Sequence, residues 1–378
     1  MSVSEPEELV ITRASIRRFL EAEVVPHRDR WRAEKCVPKE VWHKAGHAGL
    51  LGVSLPEQYG GAGGDFRHEV VLIEELGRIG FADFGVSLHN AIVAPYILHY
   101  GSEDQRRRWL PKMASGELIG ALAMTEPGTG SDVQAIKTAA KLKGNHYSLS
   151  GQKTFITNGQ NANLILVAAK TDPAQGAKGV SLLLVETDGA AGFTRGRNLE
   201  KIGFKAQDTS ELFFDEVFVP ADNLLGAEAN QGFVQMMQQL PQERLIIAVQ
   251  AIAALEAALE QTLAYVKERE AFARKIFEFQ NTRFVLAQAA TETKVTRVFV
   301  DHCIALHLDR RLDVPTAAMA KLWATDCQNR VIDQCLQLFG GYGYMAEYPI
   351  SHMWADARVQ KIYGGTNEIM KEIIARSL

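Results

Sequence analysis

The chain has 378 residues, of which 47% are hydrophobic and 23% are charged, the balance of an ordinary globular protein. This length predicts two or three domains of roughly 100–200 residues each. The net charge is −4, so there is no excess of Lys or Arg to favour nucleic acid or an anionic membrane as a partner. The four cysteines form no CxxC pair, which argues against a metal site or a disulfide framework and favours a reducing compartment.

Targeting and membrane segments are not expected in this sequence. No apolar run approaches the roughly 18 residues that a membrane span needs. The N-terminus, MSVSEPEELV, is acidic and lacks both the basic region of a signal peptide and the Arg-rich pattern of a transit peptide. These observations predict a cytoplasmic protein, or a protein of the mitochondrial matrix if the source is eukaryotic.

The first part of the chain has the apolar periodicity of helices with short breaks. The stripe over Leu9–Leu20 predicts a first helix that ends near Pro26. Further helices are predicted over Pro38–Leu51, Phe66–Gly80, Phe84–Tyr100 and Glu103–Ala114. Pro95 should bend the third of these. The glycine-rich segment Tyr59–Gly64 is predicted to be a surface loop.

The pattern changes near residue 121 and changes back near residue 232. Runs rich in Val, Ile, Leu, Thr and aromatic residues predict antiparallel strands over Tyr147–Thr157, Leu164–Lys170, Val180–Glu186 and Glu211–Val219. Long helical patterns return at Gly232, followed by Phe284–Leu306, Thr316–Leu338 and a last helix after Thr366. No alternating βαβ units occur, which argues against a doubly wound nucleotide-binding sheet. We therefore predict an α+β fold with an N-terminal helical domain over 1–120, a middle β domain over 121–231 and a C-terminal helical bundle over 232–378.

Two segments of the middle region have the composition of a ligand-binding loop. Ala123–Asp132 (AMTEPGTGSD) combines Pro and Gly with the hydroxyls of Thr125 and Ser131, and glycine lets backbone N–H groups approach a ligand. Lys153–Gly159 (KTFITNG) is typical of a strand that runs into an Asn-Gly turn. Alone, the first segment is better explained as a turn with capping residues, and the second as a strand that runs into an Asn-Gly turn.

Together with further segments, these motifs resemble the acyl-CoA dehydrogenase family in order and spacing over essentially the whole chain. The further segments are Ile202–Ser210 (IGFKAQDTS), Asp215–Pro220 (DEVFVP), Arg269–Phe272 (REAF), Gln337–Gly343 (QLFGGYG), Glu347–Pro349 (EYP) and Ile362–Glu368 (IYGGTNE). The resemblance implies an N-terminal helical domain, a middle β-barrel-like domain and a C-terminal four-helix bundle. It also implies a homotetramer built as a dimer of dimers, and FAD bound without a GxGxxG fingerprint.

The same resemblance assigns the flavin-binding residues. Three residues would line the flavin ring: Met124, Thr125 and Ser131, of which Ser131 would also lie next to the substrate. Phe155 would pack against the ring, and Thr157 would form a hydrogen bond near its N5 edge. Many relatives have Trp in place of Phe155, and either aromatic side chain can cover the ring.

The nucleotide part of FAD would be shared between subunits. The resemblance implies that Arg269 and Gln280 of one subunit hold the pyrophosphate, and that a neighbour contributes Gln337, Gly340 and Gly341. A diphosphate suits a guanidinium fork and open backbone amides. Thr366 and Glu368 are also expected to face the flavin. One departure is Ala273, where relatives commonly carry Gly.

Removal of an α-proton from an acyl thioester needs a positioned carboxylate and a polarised carbonyl. Many family members place the base directly after the Tyr that is Tyr363 here, but this chain has Gly364 at that position. A second subset, which includes the isovaleryl-CoA and long-chain enzymes, places a Glu before an Arg on a bundle helix. The segment Leu240–Ala248 (LPQERLIIA) matches this subset, so the resemblance assigns the base to Glu243.

The remaining substrate contacts follow from the resemblance. Arg244 would hold a CoA phosphate, although a surface cation is an alternative. Backbone groups at Gly364 and Gly365 would hold the thioester oxygen. By itself, Glu243 could also be an ordinary acidic residue in the first turn of a helix begun by Pro241.

The predicted reaction is the FAD-dependent conversion of an acyl-CoA to a trans-2-enoyl-CoA, with electrons passed to an electron-transfer flavoprotein. Gly364 and the helix that carries Ala94 and Pro95 favour a medium-chain, long-chain or branched substrate. LPQERL together with IYGGTNEIMKE resembles the long-chain enzymes.

Two other functions are possible on this fold. One is a flavin oxidase or monooxygenase that reacts with O₂, but acyl-CoA oxidases are usually longer and nitroalkane-type relatives use an Asp base. The other is a non-catalytic DNA-binding relative, which should show a basic C-terminal extension. The sequence ends at Leu378 without a Lys/Arg cluster.

Overall fold

A computed structural model describes residues 5–378 of the chain. The chain forms two compact units, each composed of several segments. The first contains Met1–Glu69, Asp83–Glu200 and Lys205–Gln239, and the second contains Val70–Ala82, Lys201–Phe204 and Leu240–Leu378. Most of the predicted N-terminal and middle domains therefore lie in one unit, and the two predicted domain boundaries stay predictions.

The segment before residue 120 is helical, as the apolar periodicity predicts. Its α-helices are α1 (Glu7–Phe19), α2 (Arg28–Glu34), α3 (Lys39–His47), α4 (Phe66–Arg78), α5 (Val86–Leu88), α6 (Ala94–Tyr100) and α7 (Glu103–Ala114). A capping box begins α7: the Ser102 hydroxyl accepts from Gln105 N, and the Gln105 side chain accepts from Ser102 N. A π-helical turn over His89–Val93 separates α5 from α6, where Pro95 supplies no N–H to the preceding turn.

A curled sheet follows the helices. Its strands are β1 (Gly120–Ala123), β2 (Ala139–Lys143), β3 (His146–Thr157), β4 (Leu164–Lys170), β5 (Val180–Glu186), β6 (Phe193–Asn198) and β7 (Thr209–Pro220). The strand order is β1-β4-β2-β3-β7-β6, with β5 also paired to β4. The predicted antiparallel pairing is correct for β3–β7 and β4–β5, whereas β1 and β2 pair with β4 in parallel.

Strand β4 is buried along its whole length, and its two faces enter different cores. Leu164 and Leu166 belong to a cluster that includes Trp109 of α7. Ile165 and Val167 belong to a cluster formed within the sheet itself. The two-residue period of a strand explains this division, because successive side chains point to opposite faces.

The C-terminal part is helical apart from a short hairpin. Its helices are α8 (Gly232–Glu268), α9 (Gln280–Leu308), α10 (Val314–Leu338), α11 (Pro349–Val359) and α12 (Asn367–Ala375), and the hairpin strands are β8 (Glu270–Ala271) and β9 (Arg274–Lys275). Pro241 lies inside α8, which begins at Gly232. The alternative in which Glu243 is a first-turn residue of a helix begun by Pro241 is therefore wrong.

Helix α8 is long and apolar enough to cross a membrane by length and composition, with a mean hydropathy of 1.4 over an 18-residue window. The expectation that no segment is apolar enough for a membrane span is therefore wrong for α8. Inside the protein 72% of that window is buried. The apolar composition is thus explained by packing, since a helix that is apolar on most sides can form the core of a large protein.

Candidate active site

The loop that the sequence assigns to the flavin is fixed by a buried ion pair in the first unit. Lys153 Nζ donates to the Met124 carbonyl oxygen and to Glu126 Oε1, both at 2.9 Å. Glu126 also accepts from the backbone N–H groups of Lys137 and Thr138. Burial lowers the pKa of Lys153 to about 8, although the charge of Glu126 opposes this. The pair ties the loop after β1 to the middle of β3.

Phe155 is an exposed aromatic residue of β3. Its side chain is 68% exposed, and its φ of 60° lies where the pairing of β3 with β7 is irregular. A β-bulge of this kind redirects a side chain. Thr157, two residues further along β3, is partly buried. The bulge therefore presents the Phe155 ring at the protein surface.

The neighbouring loop leaves space and an unpaired hydroxyl. A Cβ added to Gly128 or Gly130 would meet no atom within 4 Å. Thr129 Oγ1 is buried and has no hydrogen-bond partner among residues 5–378. Ser131 is exposed, and Met124 and Thr125 are partly buried. An exposed aromatic ring beside bare backbone and an unpaired hydroxyl fits a planar polar ligand such as the flavin of FAD.

Glu243 lies on α8 in the second unit and is 5% exposed. It shares a helix face with Ile247, four residues further on, because residues at i and i+4 lie one above the other. A Cβ built on Gly364 would stand 2.3 Å from Ile247 Cδ1. The Gly364 backbone therefore packs against the same face of α8 that carries the Glu243 carboxylate.

The turn between α11 and α12 contains the other predicted contacts of this unit. Gly364 and Gly365 have φ values of 65° and 88°, which favour glycine. Thr366 caps α12, and its hydroxyl accepts from Ile369 N. Glu368 is exposed in the first turn, where hydrogen bonds from its own backbone N–H and from Thr366 lower its pKa. Its exposed side chain leaves the predicted contact with flavin a prediction.

Arg244 is buried, with an exposure of 5%. The alternative of a surface cation is therefore wrong. Burial lowers the pKa of Arg244, and the charge of Glu243 raises it. Its Nε atom has no hydrogen-bond partner in the part of the chain that the structure describes. A buried, unpaired guanidinium nitrogen of this kind is available to a ligand atom.

The residues predicted to bind the FAD pyrophosphate are exposed in the second unit. They are Arg269, Gln280, Gln337, Gly340 and Gly341. The Arg269 guanidinium lies 5.5 Å from the ring centre of Tyr342, next to Gly341. The contribution of a neighbouring subunit stays a prediction. Between residues 5 and 378, no group of three or more His, Cys, Asp or Glu side chains is placed to hold a metal ion.

Several residues that shape these sites were not predicted from the sequence. They include Lys153 with Glu126, Ile247, and a buried lysine at position 321. A lysine at an otherwise apolar stripe, as in AAMAKLWA around Lys321, is the one signal that could have drawn attention to it. Ile247 resembles any other core residue of α8 in the sequence.

Comparisons with known proteins agree with the fold. Three family models match: acyl-CoA dehydrogenase N-terminal domain over 6–117, middle domain over 121–217 and C-terminal domain over 230–378. The long-chain specific acyl-CoA dehydrogenase of Mus musculus mitochondria is 50% identical over 97% of this chain and 86% of its own length. The crystal structure of an acyl-CoA dehydrogenase from Geobacillus kaustophilus has a TM-score of 0.97 and 48% identity, and covers 100% of this chain and 99% of its own.

A third relative is a solved chain described as the electron transferring flavoprotein of Acidaminococcus fermentans. It has a TM-score of 0.94 and 35% identity, and covers 100% of this chain and 99% of its own. The fold and site define a flavin-dependent dehydrogenase with a helical, β and helical architecture. The chain belongs to the acyl-CoA dehydrogenase family, whose members are FAD-dependent flavoproteins. The predicted fold, cofactor and long-chain relationship are confirmed.

Proposed function

We propose that this chain converts a long-chain acyl-CoA to the trans-2-enoyl-CoA with Glu243 as the catalytic base. The observation that carries the proposal is the position of Glu243. Its buried carboxylate lies on the face of α8 that packs against the Gly364 turn through Ile247. A carboxylate in this place can reach the α-carbon of a thioester whose oxygen lies at the turn.

The reaction divides between the protein and the cofactor. Glu243 accepts the proton that leaves Cα, and the bonding electrons form the new double bond as hydride leaves Cβ. Backbone N–H groups of Gly364 and Gly365 stabilise the negative charge that develops on the thioester oxygen. FAD supplies the hydride acceptor when bound, and Met124, Thr125, Ser131, Phe155 and Thr157 would hold its flavin.

A long acyl chain is supported by the sequence relationship and by the apolar surroundings of α6. Ala94 belongs to a large apolar cluster with Ile97, and partly buried side chains such as Phe233 and Met237 pack against it. The relative with 50% identity is named as long-chain specific. Butyryl-CoA should accordingly be a poor substrate.

The substrate test is an anaerobic titration with acyl-CoAs of graded length. The loss of flavin absorbance is measured as each acyl-CoA is added. We expect the fastest bleaching with long chains, because they displace more water from apolar surface. Bleaching that is fastest with butyryl-CoA would reject the long-chain assignment.

The base assignment is tested by Glu243→Gln. The amide cannot accept the α-proton, so turnover should fall by about two to four orders of magnitude with FAD content unchanged. Glu260→Gln, an exposed position on the same helix, is the matched control and should keep wild-type turnover. Turnover of Glu243→Gln close to that of the control would show that another group is the base.

The proposed acceptor is an electron-transfer flavoprotein. The family supports this assignment, as does the structural similarity to the chain described as that flavoprotein of Acidaminococcus fermentans. The enzyme reduced by acyl-CoA should pass electrons rapidly to such a flavoprotein and slowly to O₂. Rapid production of hydrogen peroxide in air would instead favour the oxidase alternative.

We further propose a cytoplasmic homotetramer without a membrane span. An apolar groove on α9 and α10 supports association between copies. Its lining includes Val295, Phe299, Met319, Leu322 and Trp323. Contiguous exposed apolar surface of this kind marks an interaction site. The burial of most of the apolar window of α8 supports the absence of a span.

A further inference from the structure

Lys321 is a charged residue in the interior of the second unit. It lies on α10 and is 0% exposed. Its Nζ donates to the Gly365 carbonyl oxygen at 2.9 Å and to Asn367 Oδ1 at 2.7 Å. Both acceptors are neutral, although a buried ammonium group is usually paired with a carboxylate. The lysine thus joins α10 to the turn that carries Gly364.

The second acceptor is itself fixed by α10. Asn367 Nδ2 donates to Thr325 Oγ1 and to Asp326 Oδ1, both at 3.0 Å. Its Oδ1 is therefore directed towards Lys321. Asp326 also pairs with Lys361 at 2.7 Å, at the other end of the turn. One helix consequently anchors the turn at both ends and in the middle.

The middle of the turn needs such an anchor. Gly364 and Gly365 both have positive φ and, as glycines, have no side chain to hold them in place. The Lys321 contact to the Gly365 carbonyl restrains this pair directly.

Stability alone is a poor explanation for a lysine in this place. Burial lowers the pKa of Lys321 to about 8, and the charges of Arg244 and Lys361 act in the same direction, against those of Asp326 and Glu368. The folded protein therefore holds the ammonium at a cost. An apolar side chain of similar length would avoid that cost but could not bind the Gly365 carbonyl.

We propose that Lys321 is a positioning residue, which fixes the Gly364–Gly365 turn so that its backbone meets the thioester oxygen while Glu243 meets Cα. The proposal rests on the proposed function of this site. In this role Lys321 acts through the turn, by its contacts with Gly365 and Asn367. Its effect should be largest in the transition state, where the charge on the oxygen is largest.

The test is Lys321→Met, which keeps the length of the side chain and removes its donors. The rate of anaerobic flavin reduction at saturating acyl-CoA should fall by about 10- to 100-fold, the scale of a misplaced catalytic geometry. The acyl-CoA concentration for half-saturation should change by less than about threefold, since ground-state binding depends on the whole substrate. FAD content and melting temperature should match the wild type.

Lys294→Met is the matched control, because it removes an exposed lysine of the second unit, on α9, and leaves all three anchors of the turn in place. It should keep the wild-type rate of reduction. Asn367→Ala is a second variant in case Lys321→Met does not fold. It keeps Lys321 and removes one anchor, and should slow reduction by about 3- to 10-fold.

The outcomes separate this inference from the proposed function. If the wild type is not reduced by any acyl-CoA, the proposed function fails. If the wild type is reduced while folded Lys321→Met, or Asn367→Ala in its place, reacts within twofold of it, the positioning role is rejected. In another outcome, Lys321→Met loses FAD and melts at a lower temperature, while the fraction that keeps FAD is reduced at the wild-type rate. That result also rejects the positioning role and shows that Lys321 has a structural role.

Discussion

Glu69 is a carboxyl group buried among the helices of the first unit, with an exposure of 1%. Its Oε1 accepts from Ser54 Oγ at 2.7 Å, and its Oε2 lies 3.3 Å from Asn90 Nδ2. Burial raises the pKa of Glu69 to about 7, against the opposing effect of these hydrogen bonds. The folded state therefore binds the proton of Glu69 more tightly than the unfolded chain does.

This difference predicts how stability depends on pH. The stability from the protonated Glu69 is fully present below the unfolded pKa and is lost as pH rises through about 7. Glu69→Gln has no proton to lose at this position. From pH 4.5 to pH 8 the wild type should therefore lose about 3 kcal/mol more of its free energy of unfolding than the variant does. Urea unfolding at several pH values measures this.

Glu40→Gln, at an exposed position on α3, is the control for Glu69→Gln and should follow the wild-type curve. Parallel pH curves for the wild type and Glu69→Gln would contradict the buried, protonated state of Glu69.

Single charged residues divide into those that the sequence could predict and those that it could not. Glu243 was assigned through LPQERL, and its burial supports that assignment without testing it. Glu69 and Lys153 occupy ordinary positions in their local patterns, and Lys321 is marked only by the apolar residues on either side of it. Their burial depends on residues distant in the chain, and a local pattern assigns such side chains to the surface.

At the level of elements, the packing of α8 against the α11–α12 turn determines which backbone position can carry the catalytic base. Some relatives carry the base at the position of Gly364, so the change of Glu243→Gly with Gly364→Glu asks whether the two positions serve one site. The structure predicts that this double variant reacts more slowly than one in which the Ile247 side chain is also shortened. A side chain at 364 meets Ile247 Cδ1 at 2.3 Å, although Cγ1 is at an ordinary 3.8 Å.

Ile247→Val removes the single clashing atom and should cost only about 0.5–1.5 kcal/mol of stability. The triple variant, with Ile247→Val added, should therefore react at least about tenfold faster than Glu243→Gly alone, a fraction of what a general base contributes. Single-turnover flavin reduction measures the rates. Ile247→Val alone is the control and should keep activity. A double variant as fast as the triple would show that Ile247 does not block the position.

Elements were predictable where their own composition specifies them. Leu164–Lys170 and Val180–Glu186 were predicted with the observed bounds, because continuous apolar runs indicate buried strands. β6, with the sequence FTRGRN, was not predicted, since it contains two Arg and a Gly and gains its order by pairing with β7. The parallel pairing of β1 with β4 also depends on the tertiary fold.

At the scale of the whole molecule, the proposed tetramer needs an apolar surface that copies of the chain can share. Val295 and Val298 on α9 are 54% and 58% exposed, and Trp323 on α10 is 42% exposed. The Trp323 indole N–H donates to Thr296 Oγ1 at 3.0 Å, so the ring is held in place without being covered. An exposed apolar surface with a fixed aromatic side chain is well suited to a permanent interface between identical chains.

Val295→Glu with Val298→Glu should disrupt the proposed tetramer, because two carboxylates would be buried without partners at its interface. Light scattering after size-exclusion chromatography should show a smaller species with unchanged helical content. Val10→Glu, at a half-exposed position on α1, is the matched control and should keep the wild-type mass. If the FAD pyrophosphate is shared between subunits, FAD should leave as the assembly dissociates. A double variant that keeps both the wild-type mass and its FAD would show that this surface is not the interface.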